Sequence, residues 1–482
     1  MSRELLLALD LGTTGVRALV VEPGGTIRAR EYRALSAVYP EPGRVEQDPE
    51  EMWAGSVEVL GKALSGSGCD VRDVAGIGVV TQRSTTIGWD AGTGRPLAPA
   101  IGWQDQRTAP RVAWFRERGI PLNTLASATK FEWWLQHDDA IRDAAARGTL
   151  RLGTPESWLT YRLTGGTSHV TDPGHASCTA LYDAASGEWS PGLLSLFGVA
   201  QETLPTVVAT SEVVGETPAR LLGAAVPVAA RAGDQQAATF AQGVHAPGQA
   251  KLTLGTSAML DLHTGPEASE APQGSYALAL WRLGDGTRAF CHEGTVITAG
   301  SAVEWLVELG LLSEVAALDP VAGSVADTGG ATFVPALQGL GTPFLEEGVR
   351  GLIGGLTRGT RGAHLVRATL EGIAQRCVDV CETLACTGSP LRVDGGLARS
   401  GLLLQTLADL LGQEVWRAAE TETTALGAAH LAGLATGIFD AVETCHMSTG
   451  PPTRFEPAIA EDERLSARAE WRRVLERARD GP

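Results

Sequence analysis

Hydrophobic residues near the start of the chain form two short runs separated by a small polar turn. Within residues 5–21, the runs LLLALDL and VRALVV flank the sequence Gly-Thr-Thr-Gly. Two aliphatic and β-branched runs around a glycine-containing turn predict a β-hairpin. The pattern returns in residues 250–262, where Gly-Thr-Ser separates two apolar runs. We therefore expect two similar hairpins, one in each half of the chain.

Further strands and helices follow from the remaining apolar positions. TIRAREYRAL continues the first hairpin as a third strand, and residues 74–80 and 227–232 are apolar runs typical of buried strands. Helical spacing and helix-ending residues predict helices from Pro49, over 109–118, 133–148, 156–163, 298–310 and 364–384, and up to stops at Gly412 and Gly437. The last forty residues are highly charged and predict a helix with a solvated face.

The chain is longer than one hydrophobic core usually supports. Its 482 residues predict two domains, and the polar turn HAPGQA places them at 1–243 and 244–482. The net charge of −17 argues against a nucleic-acid partner. No apolar run approaches the roughly 20 residues that a membrane-spanning helix needs, so membrane insertion is not expected.

The seven cysteines and nine histidines are scattered without metal-ligand spacing. An odd number of unpaired cysteines is typical of reduced thiols, so we expect free cysteines in a cytoplasmic protein. A structural zinc site is not expected. The sequence does not decide whether the protein forms a homo-oligomer.

Asp10 is expected where the first strand ends, directly before the Gly-Thr-Thr-Gly turn. Gly12 and Gly15 allow the N–H groups of such a turn to approach an anion closely. A neighbouring carboxylate can hold Mg²⁺ against phosphate oxygens. Taken alone, the same residues are also those of an ordinary hairpin.

Two further polar residues follow predicted strands. Asp234 lies between the strand at 227–232 and a helix, and Arg83 follows the strand at 74–80. Ligands of α/β sheets bind at the carboxyl ends of strands. A carboxylate there can take the proton of an alcohol, and an arginine can donate to vicinal hydroxyls. The structural alternatives are a helix N-cap for Asp234 and a surface ion pair for Arg83.

Thirteen segments in one order resemble the FGGY carbohydrate kinases, and most closely the members that phosphorylate glycerol. They include ALDLGTTGVRA, RVEQDPEEMW, TQRSTT, IGWQDQRT, AGDQQAATFAQG, LGTSAML, LRVDGG and TETTALGAAHLAGLATG. The resemblance implies an α/β fold with two actin-like (ribonuclease H-like) ATPase domains around a central cleft. It implies an ATP- and Mg²⁺-dependent kinase that phosphorylates a primary hydroxyl of a small polyol.

The resemblance also implies a role for individual residues. Asp234 would be the catalytic base, and Asp10 and Asp234 would hold the metal. The substrate would be bound by Arg83, Ser84, Leu125, Asp234, Gln235 and Met259. ATP would be bound by Thr13, Thr14, Arg17, Thr256, Gly300, Glu304, Gly396 and Ser400. Glu304 and Ser400 stand where many relatives have an amide.

Three of the implied substrate residues depart from the glycerol-phosphorylating members. Ser84 stands where those members have Glu, Leu125 where they have an aromatic residue, and Met259 where they have Phe. Since all three side chains are shorter, we expect a wider pocket. A kinase for a tetritol, pentitol or ketose is therefore an alternative. Two alternatives come from a different functional class: a non-catalytic ATP-gated binding protein on the same fold, and a degenerate, non-catalytic relative of these kinases.

Overall fold

The computed structural model describes residues 3–120, 122–420, 422–445 and 450–481. Its strands are β1 Leu5–Leu11, β2 Gly15–Val21, β3 Ile27–Ala34, β4 Glu46–Gln47, β5 Val74–Thr81, β6 Ile87–Asp90, β7 Ala100–Ile101, β8 Leu150–Gly153, β9 Val170–Thr171, β10 Tyr182–Asp183, β11 Glu188–Trp189, β12 Thr206–Val207, β13 Val228–Gly233, β14 Ala250–Leu254, β15 Ala258–Gly265, β16 Tyr276–Arg282, β17 Arg288–Val296, β18 Thr332–Val334, β19 Leu352–Gly354, β20 Leu391–Asp394, β21 Val415–Arg417 and β22 Thr453–Phe455.

The α-helices surround and connect these strands. They are α1 Pro49–Ser67, α2 Ala109–Arg116, α3 Ser127–His137, α4 Asp139–Ala146, α5 Pro155–Leu163, α6 Pro173–Ser177, α7 Pro191–Phe197, α8 Ala219–Leu222, α9 Asp234–Ala241, α10 Gly300–Glu308, α11 Leu318–Ala322, α12 Gly362–Leu384, α13 Gly401–Leu411, α14 Thr423–Thr436 and α15 Glu461–Asp480. None of the helices in the described ranges is long and apolar enough to span a membrane.

Two large mixed sheets share one strand pattern. The first has the order β13-β5-β1-β2-β3, and the second has the order β16-β17-β15-β14-β20-β21-β22. In each, a hairpin is extended on one side by an antiparallel strand (β3 or β17) and on the other by two parallel strands (β5 and β13, or β20 and β21). Both predicted hairpins are thus confirmed, and they occupy equivalent places in the two sheets.

The hairpins form where the sequence is most apolar because both faces of their strands are covered. Every residue of β1 is buried, and β2 is buried except at Arg17. By contrast, the edge strand β3 alternates between half-buried and exposed residues. Strands that are covered on both faces carry continuous apolar runs, whereas a half-exposed strand alternates.

Most predicted helix boundaries agree with the structure. Pro49 is the first residue of α1, and the Asp48 side chain caps the helix by accepting from the Glu50 N–H at 2.9 Å. Helices α13 and α14 end at Gly412 and Gly437, which adopt the left-handed conformation. Thr421, the first residue of the predicted segment that contains α14, lies outside the described residues.

One predicted helix is wrong. Residues 133–148 were expected to form a single helix, but the structure has α3 ending at His137 and α4 beginning at Asp139. Asp138 between them is extended, and its side chain caps α4 by accepting from the Ile141 N–H at 3.0 Å. Asp competes for backbone N–H groups in this way, so it starts a new helix instead of continuing the old one.

The C-terminal helix has the predicted solvated face, but its other side carries four buried residues that include a charged one. Arg468 of α15 is only 2% exposed, and its guanidinium donates to Asp379 at 2.7 Å and to Glu382 at 2.8 Å on α12. The Trp471 indole N–H also donates to Asp379. The charged sequence therefore includes a buried contact that joins α15 to α12.

Helix α14 belongs to the second half of the chain but packs against β1, β5, β13 and α9 of the first half. Two glycines permit this contact. A Cβ at Gly78 would overlap the Ala428 carbonyl, and one at Gly427 would overlap the Ala237 carbonyl. The second half of the chain is therefore joined to the first sheet by a closely packed helix. The candidate site residues lie at the carboxyl ends of strands of that sheet.

Candidate active site

The first polar turn joins β1 to β2 and is held on both sides. The Thr13 hydroxyl accepts from the Trp103 indole N–H at 2.9 Å, and the Thr13 carbonyl accepts from the Gln47 amide at 2.8 Å. The Tyr32 ring lies against Gly15, in the space that a Cβ there would occupy. Thr14 is exposed at the tip of the turn. The turn is therefore fixed in place, with a threonine side chain available to a ligand.

The second turn is held by the start of a helix. Gly255 donates to the Ser257 carbonyl at 2.9 Å, and Gly300, the first residue of α10, donates to the Gly255 carbonyl at 3.0 Å. A Cβ at Gly300 would lie 2.5 Å from that same carbonyl, so only glycine fits. Thr256 is exposed. Both hairpins thus end in a rigid turn that presents an exposed threonine.

Asp10 lies at the end of β1 and is 8% exposed. Burial raises the pKa of its carboxyl to about 7, with Arg17 opposing the rise and Asp234 and Glu422 adding to it. Arg17 lies 3.5 Å from Asp10 and 2.5 Å from Glu422. A buried carboxylate beside a second carboxylate is an environment that favours a bound cation, and oxygen donors suit Mg²⁺. Asp10 and Asp234 therefore fit the metal-binding role implied for them.

Asp234 follows directly after β13 as the first residue of α9, whose N-cap position is Gly233. The Arg83 Nε lies 3.4 Å from Asp234 Oδ1, and the Arg83 Nη2 lies 2.7 Å from Glu293 Oε2. The space that a Cβ at Gly233 would fill is taken by the Gln236 amide oxygen and the Arg83 side chain. The arginine is buried rather than paired on the surface, and it bridges Asp234 and a carboxylate of the second sheet.

Gln235 is oriented by a buried lysine. The Lys251 ammonium donates to Gln235 Oε1 at 2.6 Å and lies 3.0 Å from Asp261. Since the amide oxygen of Gln235 is engaged, its NH₂ group is the part that can donate to a substrate. Lys251 thus fixes which way the amide points.

Ser84 follows Arg83 in an unusual backbone conformation. Its φ is +65°, in the left-handed region that costs a non-glycine residue about 1 kcal/mol or more. Its carbonyl accepts from the buried Lys130 ammonium at 2.7 Å. Burial lowers the pKa of Lys130 to about 7. The local strain lies next to the predicted substrate ligands.

A cavity of about 530 Å³ opens beside Arg83. Its described lining includes Ser84, Leu125, Cys178, Tyr276 and Glu293, but not Asp234, Gln235 or Met259. Met259 is half-buried on β15, opposite Thr253. Two of the three shortened substrate residues thus line the cavity, and Arg83 joins it to Asp234.

The residues implied for the nucleoside lie on the second sheet and its helices. Gly396 follows β20 and faces open space, and Glu304 is exposed on α10. Ser400 differs, because it is buried and its hydroxyl caps α13 by accepting from the Leu403 N–H and donates to Asp319. Ser400 therefore already has two partners within the protein.

Sequence reasoning did not find several residues that shape this site. Trp103 and Gln47 hold the first turn, and Lys251, Asp261 and Glu293 hold Gln235 and Arg83. A signal existed for two of them. Trp103 stands in the quoted segment IGWQDQRT, and Lys251 is a charged residue in the apolar run that leads into the second turn. Nothing in the sequence singles out Glu293, whose position depends on strand register.

Comparisons with known proteins agree with this arrangement. The chain matches the FGGY family of carbohydrate kinases, N-terminal domain, over residues 5–241, and the C-terminal domain of the same family over residues 250–436. A glycerol kinase from Aromatoleum aromaticum is 43% identical over 489 residues, covering 98% of both chains. One from Dechloromonas aromatica is 42% identical, covering 99% of this chain and 98% of the other.

A solved structure extends the likeness to the fold. The crystal structure of Plasmodium falciparum glycerol kinase with ADP superposes with a TM-score of 0.92 at 27% identity. The superposition covers 99% of this chain and 98% of that one.

Proposed function

Since this chain belongs to the FGGY family of carbohydrate kinases, we propose that it phosphorylates a primary hydroxyl of glycerol. Membership of this family confirms the predicted fold and the predicted class of ATP-dependent kinase. The relatives above 40% identity over nearly the whole chain are named glycerol kinase. The single structural observation that carries the proposal is Asp234 at the end of β13, with Arg83 paired to it.

The proposed reaction assigns a task to each of these side chains. An alcohol is a weak nucleophile near neutral pH, so Asp234 accepts the hydroxyl proton as the oxygen bonds to the γ-phosphorus. The bond to the β,γ-bridging oxygen breaks, and ADP leaves with its electron pair. Arg83 and Gln235 hold the substrate hydroxyls in line for this transfer.

The nucleotide is proposed to lie across the two turns. Thr13, Thr14 and Thr256 would donate to its phosphates together with Arg17, while Gly300, Gly396 and Glu304 would lie along the nucleoside. We do not retain Ser400 among these contacts because its hydroxyl is engaged with Asp319 and Leu403. When bound between Asp10 and Asp234, Mg²⁺ would neutralise phosphate charge.

The test is ADP production coupled to glycerol. We expect Asp234→Asn to lower turnover by about a hundredfold or more, the usual scale for loss of a general base, while nucleotide binding persists. Asp462→Asn is a matched control, since Asp462 is exposed on α15. Wild-type turnover in Asp234→Asn would refute the assignment of the base.

A larger polyol or ketose is the second candidate substrate. It is favoured by the cavity of about 530 Å³ lined by Ser84 and Leu125, which falls in the size range of sites for ligands larger than glycerol. Comparison of kcat/KM for glycerol with that for four- and five-carbon polyols and ketoses decides between them. A preference for glycerol over all of them contradicts the wider pocket.

We further propose a reducing, cytoplasmic setting, because all seven cysteines of the sequence are free.

The division of the chain into two domains between residues 243 and 244 also stays a proposal. It is supported by the gap between the two matched ranges, and cleavage by a protease within residues 244–250 into two stable fragments would test it. Formation of a homo-oligomer stays open to measurement by light scattering.

A further inference from the structure

Four polar residues form a row across the second sheet. Lys251 pairs with Asp261, Asp261 with Glu293, and Glu293 with Tyr276 in the registers of β14, β15, β17 and β16. Residues directly opposite one another on neighbouring strands project from the same face of a sheet. The four side chains therefore face the candidate site, where Lys251 contacts Gln235 and Glu293 contacts Arg83.

Glu293 is the only carboxylate among the described residues that line the cavity beside Arg83. It is 3% exposed, so its charge has little access to water. Glu293 pairs with Arg83 and shares a side-chain hydrogen bond with Asp261, and these two contacts use only part of the roughly four acceptor positions of a carboxylate. A buried acceptor thus remains on the wall of a cavity next to the predicted catalytic base.

A polyol hydroxyl needs an acceptor as well as a donor. Arg83 and the NH₂ of Gln235 can only donate, and Asp234 is assigned to the reacting hydroxyl. A second hydroxyl placed at the Arg83 guanidinium can receive an N–H bond on its oxygen. The carboxylate 2.7 Å from the same Arg83 nitrogen is placed to accept its proton.

The electrostatics of the row allow a charged acceptor at this position. Burial raises the pKa of the Glu293 carboxyl, with Arg83 opposing the rise and Asp261 adding to it. Burial would also raise the pKa of Asp261, but Lys251 and Arg83 outweigh it and the pKa is lowered. Arg83 thus favours the charged form of Glu293 without fully offsetting its burial, so this acceptor is increasingly populated as the pH rises.

We propose that Glu293 is a further substrate-binding residue, which accepts a hydrogen bond from a substrate hydroxyl adjacent to the one that is phosphorylated. The inference rests on the proposed function, since it requires a polyol or sugar in the cavity. Lys251 and Asp261 act behind it as positioning residues for Gln235 and the carboxylate.

The test pairs Glu293→Gln with substrates that lack one hydroxyl. Gln keeps an amide oxygen as acceptor but loses the charge, and a hydrogen bond to a charged group is about twice as strong as one to a neutral group. The value of kcat/KM for glycerol should therefore fall by about 5- to 10-fold. Propane-1,3-diol lacks the hydroxyl adjacent to the reacting one, so for this substrate the fall should be less than about twofold. Propane-1,2-diol retains that hydroxyl and should show the same fall as glycerol. The KM for ATP should stay unchanged, and Glu270→Gln, at an exposed position, should behave as wild type.

A residue that merely orients Arg83 gives a different result. In that case Glu293→Gln lowers kcat/KM by the same factor for glycerol and for both diols, which overturns the inference. If Glu293→Gln fails to fold, Glu293→Asp retains the charge opposite Arg83 but withdraws the acceptor by one methylene. For Glu293→Asp we again expect a loss of kcat/KM that is confined to substrates with the contacted hydroxyl. An equal loss of kcat/KM for glycerol and both diols would contradict the inference.

The proposed function and the inference fail separately. If the wild-type protein does not phosphorylate glycerol but accepts a longer polyol or a ketose, only the choice of glycerol fails, and the same comparison is made with that substrate and its deoxy analogues. If no polyol or sugar in the panel is phosphorylated, both fail.

Discussion

Replacement of Asp10 by Asn should stabilise the metal-free protein while removing its activity. The Asp10 carboxyl is 8% exposed, and its pKa is raised from 3.8 to about 7. A rise of this size corresponds to about 4 kcal/mol of folding free energy lost when the group is ionised. Asn has nearly the same shape and never ionises, so the variant avoids this cost.

The sign follows from proton binding. A carboxyl with a raised pKa binds its proton more tightly in the folded than in the unfolded protein, so the cost is absent below about pH 4. It grows as the pH rises toward 7 and is fully developed above that. The substitution removes only a long ion pair, because Arg17 lies 3.5 Å from Asp10 and keeps its closer partner Glu422 at 2.5 Å.

The assay is thermal or urea unfolding in EDTA at pH 4 and pH 8. We expect similar stability at pH 4 and a gain of up to about 4 kcal/mol for Asp10→Asn at pH 8. Mg²⁺ with nucleotide should then raise the midpoint of the wild type more than that of the variant. Asp462→Asn serves as the exposed control. Equal stability at pH 8, or the same difference at both pH values, would show that burial of Asp10 carries no such cost.

Two further predictions concern the two halves of the chain. Substrate together with a non-hydrolysable ATP analogue should reduce the radius of gyration in small-angle scattering, since phosphoryl transfer must exclude water; an unchanged radius would argue against closure. Gly427→Ala should destabilise the protein by about 1–3 kcal/mol or more, because the methyl group would overlap the Ala237 carbonyl where α14 packs on α9. Gly61→Ala, in open space on α1, should instead stabilise it by about 0.5–1 kcal/mol, and unfolding midpoints that fail to separate the two variants would contradict this packing.

Local signals in the sequence were sufficient for features that depend on neighbouring residues. Pro49, the turn glycines and the stops at Gly412 and Gly437 all act within one helical turn or one hairpin. Asp138 shows the limit, since the same stretch can form one helix or two until the capping bond to Ile141 is made.

Features that depend on distant residues could not be read in this way. Arg468 looks like part of a solvated face, but its partner Asp379 lies on another helix and is 89 positions away in the sequence. Glu293 is equally inconspicuous, because only the register of β15, β16 and β17 places it opposite Asp261 and beside Arg83. The candidate base and the two turns were identified from sequence, whereas the residues that orient them required the structure.

The most direct measurement of the central claim is identification of the product by ³¹P NMR. The wild-type protein is incubated with ATP, Mg²⁺ and glycerol, and the resonances of ADP and of a phosphate monoester are followed over time. We predict that glycerol phosphate appears in a one-to-one ratio with ADP, and that neither forms at a comparable rate with Asp234→Asn. Two results would contradict the account: hydrolysis of ATP to ADP and inorganic phosphate without any phosphorylated polyol or sugar, or no consumption of ATP with any polyol or sugar tested. The second result would favour a non-catalytic ATP-gated protein.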